Sequence, residues 1–273
     1  MTAVTERPGH AAASERRLTG LIAHEFGSDL RCFRRNIQSV FFTLVLPVLF
    51  LVILASIFRN ATVQVPGGSM KESAYYVPGI IAFGLIAAAF SNLTVTVVRN
   101  RESGIYKRRR ATPLPASAVI AGRALVAILT ALVITALLLG IGWAAYGASI
   151  PGRTAPAFVV AVVVGAAAFC CLGFAVASLI RTVDAAQPAV QAIVLPLSFI
   201  SGVFIATSEL PAWLADVGKV FPVEHLVAAL LAAYNPHTTG SGFRWGDLAI
   251  VAAWGAAGLI IAVRRFNWLP RGG

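Results

Sequence analysis

Residues 154–180 read TAPAFVVAVVVGAAAFCCLGFAVASLI, without one charged side chain. A helix needs about 20 apolar residues to cross a bilayer, because in lipid the backbone can hydrogen-bond only to itself. This run exceeds that length. Four other uncharged stretches also pass: Asn36–Phe58, Ser73–Val98, Ala124–Gly152 and Ala185–Ser208. A sixth, Leu248–Val263, is shorter, but Trp245 and Trp268 flank it and Arg264 and Arg265 close it, as in a span with interfacial anchors. The sequence predicts an all-α integral membrane protein with six transmembrane helices.

Composition agrees. Of the 273 residues, 58% are hydrophobic and 12% charged, against about 25% charged in an ordinary soluble domain. The net charge of +11 would suggest nucleic acid on a soluble protein. Here the basic residues flank apolar spans, so lipid headgroups are the expected partner and nucleic acid is not. Cys32, Cys170 and Cys171 form neither a disulfide framework nor a zinc motif. The first 38 residues hold ten charges, four of them acidic, unlike a cleaved signal peptide, so the N-terminus is expected to be retained.

An even number of spans puts both termini on one side. The N-terminal tail, the loops after spans two and four, and the C-terminal tail hold 17 of the 22 Lys and Arg, counting Arg123. The positive-inside bias therefore places both termini in the cytoplasm. The domain reading is a disordered cytoplasmic tail over 1–17, an amphipathic interface helix over 18–38, a six-helix membrane domain over 39–268 and a short cytoplasmic tail over 269–273. Pro47 and Pro196 fall inside spans one and five, where kinks are expected. Arg far outnumbers Lys, a compositional mark of a GC-rich bacterial genome, so the expected location is a bacterial inner membrane.

Three segments are more than plain spans. In Leu18–Gln38 the apolar residues Leu18, Ile22, Phe26, Leu30, Phe33 and Ile37 share one helical face, which suits a helix lying along the inner surface. The inner loop 99–117 contains a basic run, Gly104 as an interruption and Thr112-Pro113 as a boundary, so it is shaped to present a short helix to something in the cytoplasm. The outer segment 207–245 holds two apolar runs, Ala212–Val220 and Val223–Tyr234, too short to span and separated by Phe221-Pro222. It reads as a re-entrant helical segment between helices five and six. Glu224 and His225, near the membrane edge, read first as interfacially solvated groups.

Two of these regions resemble the permease subunits of type-2 ATP-binding-cassette (ABC) transporters, exporter type. Glu102-Ser-Gly-Ile-Tyr-Lys-Arg, continuing to Thr112-Pro113-Leu114, is similar to that family's cytoplasmic loop between helices two and three. Leu195-Pro-Leu-Ser-Phe-Ile-Ser-Gly-Val-Phe-Ile, then Leu210-Pro-Ala-Trp-Leu and Phe221-Pro222-Val223, resembles its helix-five and re-entrant region. Ile105-Tyr106 and the run Lys107–Arg110 depart from the family pattern, as does Thr207-Ser208 in place of a proline.

The resemblance implies a multidrug or lipid exporter dimer: this chain with a second copy or a homologous permease, two ABC ATPase subunits and membrane lipids around it. It implies a short coupling helix around Arg101–Thr112, with Arg101, Glu102, Gly104, Tyr106, Lys107, Arg108, Thr112, Pro113 and Leu114 as the ATPase-coupling residues. The chain lacks the phosphate-cradling pattern G-x-x-x-x-G-K-[ST], so it is expected to be no enzyme and to hold no cofactor, with ATP-Mg bound by the partner.

Polar residues inside spans are candidates for the substrate path: Asn92 and Thr96 on span two with Ser91 and Thr94 beside them, and Gln187, Gln191, Ser198 and Ser201 on span five. The spans carry almost no charge away from their ends, so a hydrophobic or amphipathic cargo (drug, lipid or glycolipid) is favoured over a strongly charged one. An ion-coupled secondary transporter needs ionisable groups near the midplane, and the sequence places none there. A membrane enzyme needs a catalytic constellation that the histidines do not form. A non-transport scaffold remains an alternative.

Overall fold

The computed structural model describes residues 37–105, 116–205 and 210–265, together with Gly20, Gly27, Leu30 and Arg31. The tails 1–17 and 269–273, nearly all of the surface helix 18–38 and positions 106–115 and 206–209 lie outside the described residues.

Span 1 is one helical run: α1 (Ile37–Val40), a π-helical stretch (Phe41–Val45) and α2 (Leu46–Ile57). Pro47 has no N–H to offer the carbonyl four residues earlier, and the turns just before it are the widened ones. A hairpin follows, β1 (Thr62–Val65) antiparallel to β2 (Gly68–Lys71), in register from Thr62↔Lys71 to Val65↔Gly68. Span 2 runs unbroken from Glu72 to Glu102 as α3 (Glu72–Leu85), a second π stretch (Ile86–Asn92) and α4 (Leu93–Glu102). Spans 3, 4, 5 and 6 are α5 (Ala116–Tyr146), α6 (Ala155–Leu179), α7 (Val183–Ile200) and α10 (Trp245–Arg265). Between the last two, α8 (Ala212–Gly218) and α9 (Pro222–Tyr234) meet at 93°, the bent re-entrant pair expected from the sequence.

The hairpin and the bent pair share one end of the bundle. Asn235 donates to the Pro66 carbonyl at 2.9 Å, and a His237 ring nitrogen lies 3.0 Å from the Ser69 carbonyl. The loops after spans 2 and 4 share the opposite, basic end.

Helix limits differ from the hydropathy limits for a physical reason: hydropathy marks what lies in lipid, whereas a helix continues until its backbone is capped. Span 2 therefore reaches Glu102 rather than Val98, and span 3 begins at Ala116, before Arg123. Span 5 starts earlier than expected, at Val183, and stops at Ile200 rather than Ser208. Its helix continues through both Pro188 and Pro196.

Span 2 is the central post. Val77, Ile80, Ile81, Ala82, Leu85 and Val97 are wholly buried, and spans 1, 3, 4 and 5 and helix α9 all pack on it. Spans 4 and 6 form the most extensive helix pair. A Cβ on Gly255 would meet the Ala168 Cα at 2.8 Å, and one on Gly258 would meet the Leu172 backbone nitrogen at 2.9 Å. The absence of side chains at these two positions lets the backbones touch, as in other small-residue membrane interfaces. Large apolar side chains such as Val133, Ile260 and Ile261 point outward, as lipid contact requires.

Candidate functional site

The site is built from the basic end upward. Span 4 ends at Leu179 and the chain turns extended at Ile180, which leaves its last carbonyls without helical partners. Arg101, in the last turn of span 2, supplies donors. Its Nη1 donates to the Ala177 carbonyl at 3.0 Å, and its Nη2 to the carbonyls of Ile180 and, at 3.3 Å, Arg181. The side chain is 1% exposed. A guanidinium in this position also meets the negative end of span 4's dipole.

The next residue does the converse. Glu102 Oε2 accepts from the Val183 backbone N–H at 3.0 Å, at the positive end of span 5, where the Thr182 hydroxyl also accepts from Ala185 N–H at 3.4 Å. Adjacent side chains of opposite charge thus fasten span 2 to the end of one helix and the start of the next. Span 2 then stops at Ser103 and Gly104. Gly104 has φ of +68°, a left-handed turn that glycine adopts without strain, and its N–H reaches the Arg101 carbonyl at 3.2 Å.

Of the expected coupling residues, Arg101, Glu102 and Gly104 therefore sit in the helix end and its stop. The expected short helix does not begin at Arg101, which still belongs to span 2. Tyr106, Lys107, Arg108, Thr112, Pro113 and Leu114 lie outside the described residues.

One to three turns above this junction, spans 1, 2 and 5 enclose a cavity of about 160 Å³. Its polar lining is Thr43, Ser91, Asn92, Arg99, Gln187 and Gln191. The structure thus brings together four of the expected path residues, Ser91, Asn92, Gln187 and Gln191, from two helices. Gln187 and Gln191, one turn apart, share a helical face. Neither amide has a hydrogen-bond partner among the described residues, nor does the Arg99 guanidinium.

The other candidates lie elsewhere. Thr96 donates to Asn92 Oδ1 at 3.4 Å and orients that amide. Ser198 is buried and returns its hydrogen bond to the Val194 carbonyl at 2.8 Å, while Ser201 is buried just beyond span 5. Thr94 ties span 2 to span 4, donating at 2.6 Å to the Phe90 carbonyl and lying 3.1 Å from that of Gly173. Sequence reasoning missed Thr43 and Arg99 as lining residues. A lone span hydroxyl and a loop-edge arginine carry no pattern that separates lining from anchoring.

At the hairpin end, outside the six spans, His225 is 9% exposed and fully engaged. Its Nδ1 lies 2.7 Å from Asp247 Oδ1 and its Nε2 lies 2.8 Å from the Lys219 carbonyl. Arg244 donates to the other Asp247 oxygen, and Glu224 Oε2 stands 3.7 Å from Nδ1. A carboxylate and a carbonyl only accept, so this geometry favours a ring that donates from both nitrogens, the imidazolium form. Burial pulls the ring toward neutrality, but the hydrogen bonds to Asp247 and the Lys219 carbonyl outweigh it, with help from the charges of Glu224 and Asp247. The pKa is raised above the usual histidine value. His225 is thus a clasp holding the α8–α9 turn, α9 and span 6 together, rather than a solvated edge group.

The family model described as ABC-2 type transporter matches residues 26–235, most of the chain. No curated protein matches it.

Proposed function

The chain belongs to the ABC-2 type transporter family, the permease subunits of type-2 ABC transporters, and from that premise we propose that it is the membrane half of an exporter for a hydrophobic or amphipathic cargo. Such permeases work with ABC ATPase subunits. We place the basic end in the cytoplasm, where two ATPase subunits meet the loop after span 2, and we pair the chain with a second copy or a homologous permease in a bacterial inner membrane.

One observation carries this reading. The cavity that collects Asn92, Gln187 and Gln191 lies directly above the junction made by Arg101 and Glu102. A push on the loop beyond Gly104 would reach span 2 and span 5 together through that junction, so ATP-driven motion would act on two walls of the cavity at once.

The test is reconstitution of the chain with its ATPase subunits in liposomes, measuring ATP hydrolysis and cargo movement together. Glu102→Lys puts a cation at the positive end of span 5, and Gly104→Trp strains a left-handed turn. Both variants are expected to insert and to support ATP hydrolysis while transport falls. Normal transport by either would refute the coupling role, and failure of any ABC ATPase to co-purify would refute the reading as a whole.

A further inference from the structure

A second compartment adjoins the polar cavity and differs from it in chemistry. It is a slot of about 180 Å³ between spans 2, 4, 5 and 6 and the start of α9, and no polar atom lines it. Phe90, Leu172, Val176, Leu197 and Trp254 form much of its wall. An apolar cavity of about this size in a protein stays dry and takes a small hydrocarbon. Val194 belongs to both compartments. The π stretch Ile86–Asn92 separates them on the other side: Ala87, Ser91 and Asn92 face the polar cavity, whereas Ile86 and Phe90 face the slot.

The two lie side by side across spans 2 and 5, and on span 2 their levels overlap, Phe83 to Arg99 against Ile86 and Phe90. On span 5 the polar cavity takes Gln187 and Gln191 and the slot takes Ile193 and Leu197, so there the slot lies one to two turns farther from the basic end. Arg99, the one charged residue lining either compartment, stands at the basic end. From basic end to bundle interior the order is cation, amides, hydrocarbon. An anionic lipid in the leaflet on that side runs in the same order, from headgroup to chain.

We infer that the two compartments form one site for an anionic single-chain amphiphile, with its carboxylate or phosphate beside Arg99 among Asn92, Gln187 and Gln191 and part of its chain in the slot against Trp254. At about 180 Å³ the slot takes a small hydrocarbon's length of one chain and not a whole acyl chain. Exposed Ile193 at the slot's edge marks a lateral entry from the bilayer. The inference rests on reading this cavity as the cargo path and names the class of cargo.

Trp254 supplies a readout independent of any ATPase. Its Nε1 donates to the Val220 carbonyl at 3.2 Å, which holds the indole in place at the slot. The purified full-length chain in nanodiscs is titrated with stearate dibrominated at mid-chain, whose bromines quench indole fluorescence on contact. Quenching is expected to saturate, to reverse with unlabelled stearate and to lose its saturable part in Trp254→Phe. The methyl ester, without the charge, should bind about tenfold more weakly, and Arg99→Gln should bring stearate down to the ester's level. Ile193→Phe, or Val176→Leu if that variant fails to fold, should weaken both probes alike.

Quenching that rises linearly with bilayer bromine content, or that is equal for acid and ester or for Arg99→Gln and the unaltered chain, identifies ordinary boundary lipid and overturns the inference. Such a result would leave ATPase co-purification and coupled transport untouched, so failure of this proposal is distinguishable from failure of the permease reading.

Discussion

Replacing Arg101 with methionine isolates what the basic-end junction is worth. The change keeps most of the side chain's bulk and removes every donor. Three carbonyls lose a charge-assisted hydrogen bond, each worth about 1.5–3 kcal/mol. They do not all count fully. Arg181 is exposed, so water can replace the guanidinium at its carbonyl, whereas Ala177 is wholly buried and Ile180 nearly so. Two unsatisfied carbonyls give a loss of about 3–6 kcal/mol, with the helix-dipole contribution inside that range.

Thermal unfolding of the detergent-purified chain, followed by fluorescence-detected size exclusion, should show a drop of about 6–24 °C at the usual 2–4 °C per kcal/mol. Arg101→Lys should fall between, since an ammonium is a point donor and not a fork. Arg99→Met is the control: its guanidinium is exposed and has no partner among the described residues, so its melting point should move by less than about 0.5 kcal/mol in equivalent stability. If Arg101→Met melts with Arg99→Met, the end of span 4 does not depend on Arg101 and the junction argument fails.

Glu102→Gln keeps an oxygen for the Val183 N–H but loses the charge at the start of span 5, so a loss of no more than about 1 kcal/mol is expected in the same assay. A drop as large as that of Arg101→Met would contradict the capping geometry. Gly258→Ala forces a Cβ against backbone of span 4 and should cost about 1–3 kcal/mol, whereas Gly246→Ala, in the same helix with open space around it, should be silent. Equal melting points for the two would mean that spans 4 and 6 are not in direct backbone contact. His225 has a raised pKa in the fold, so its stabilisation is complete below the unfolded histidine value of about 6.5 and is lost as pH rises through the higher folded value. The melting point should therefore decline with rising pH above neutrality, and His225→Gln should remove that part of the slope. Identical slopes would show that the ring is neutral in the fold.

The span count was legible because bilayer thickness writes itself into sequence as run length. The re-entrant pair was legible for the complementary reason, two apolar runs too short to cross with Pro222 between them. Gln187 and Gln191 stood out because large amides are costly to bury and rarely occur in a span without use. The β1–β2 hairpin went unread: Val65-Pro66-Gly67-Gly68 looks like a linker, and its strands of four residues carry too little alternation to register. Arg101 was legible only as a basic residue at a membrane edge. Its partners lie 76 to 80 positions away and are backbone carbonyls, which leave no trace in side-chain identity. The same holds for His225, whose partner Asp247 lies 22 residues away and whose second acceptor is a carbonyl.

The placement of these contacts bears on how a permease of this kind can be driven. Glu102 grips Val183, and Gln187 lies one turn farther along the same helix, so a displacement of the span 2 terminus arrives at the cavity wall with little chain between to absorb it. Arg101 fixes the end of span 4 by the same step. Span 1 is not part of the junction made by Arg101 and Glu102. It meets the cavity through Thr43 and Leu46, beside its own π-helical stretch and Pro47, where the regular hydrogen-bond ladder is already interrupted. Under the proposed coupling, spans 2 and 5 would move together, and a push at the basic end would change the cavity's width chiefly against span 1.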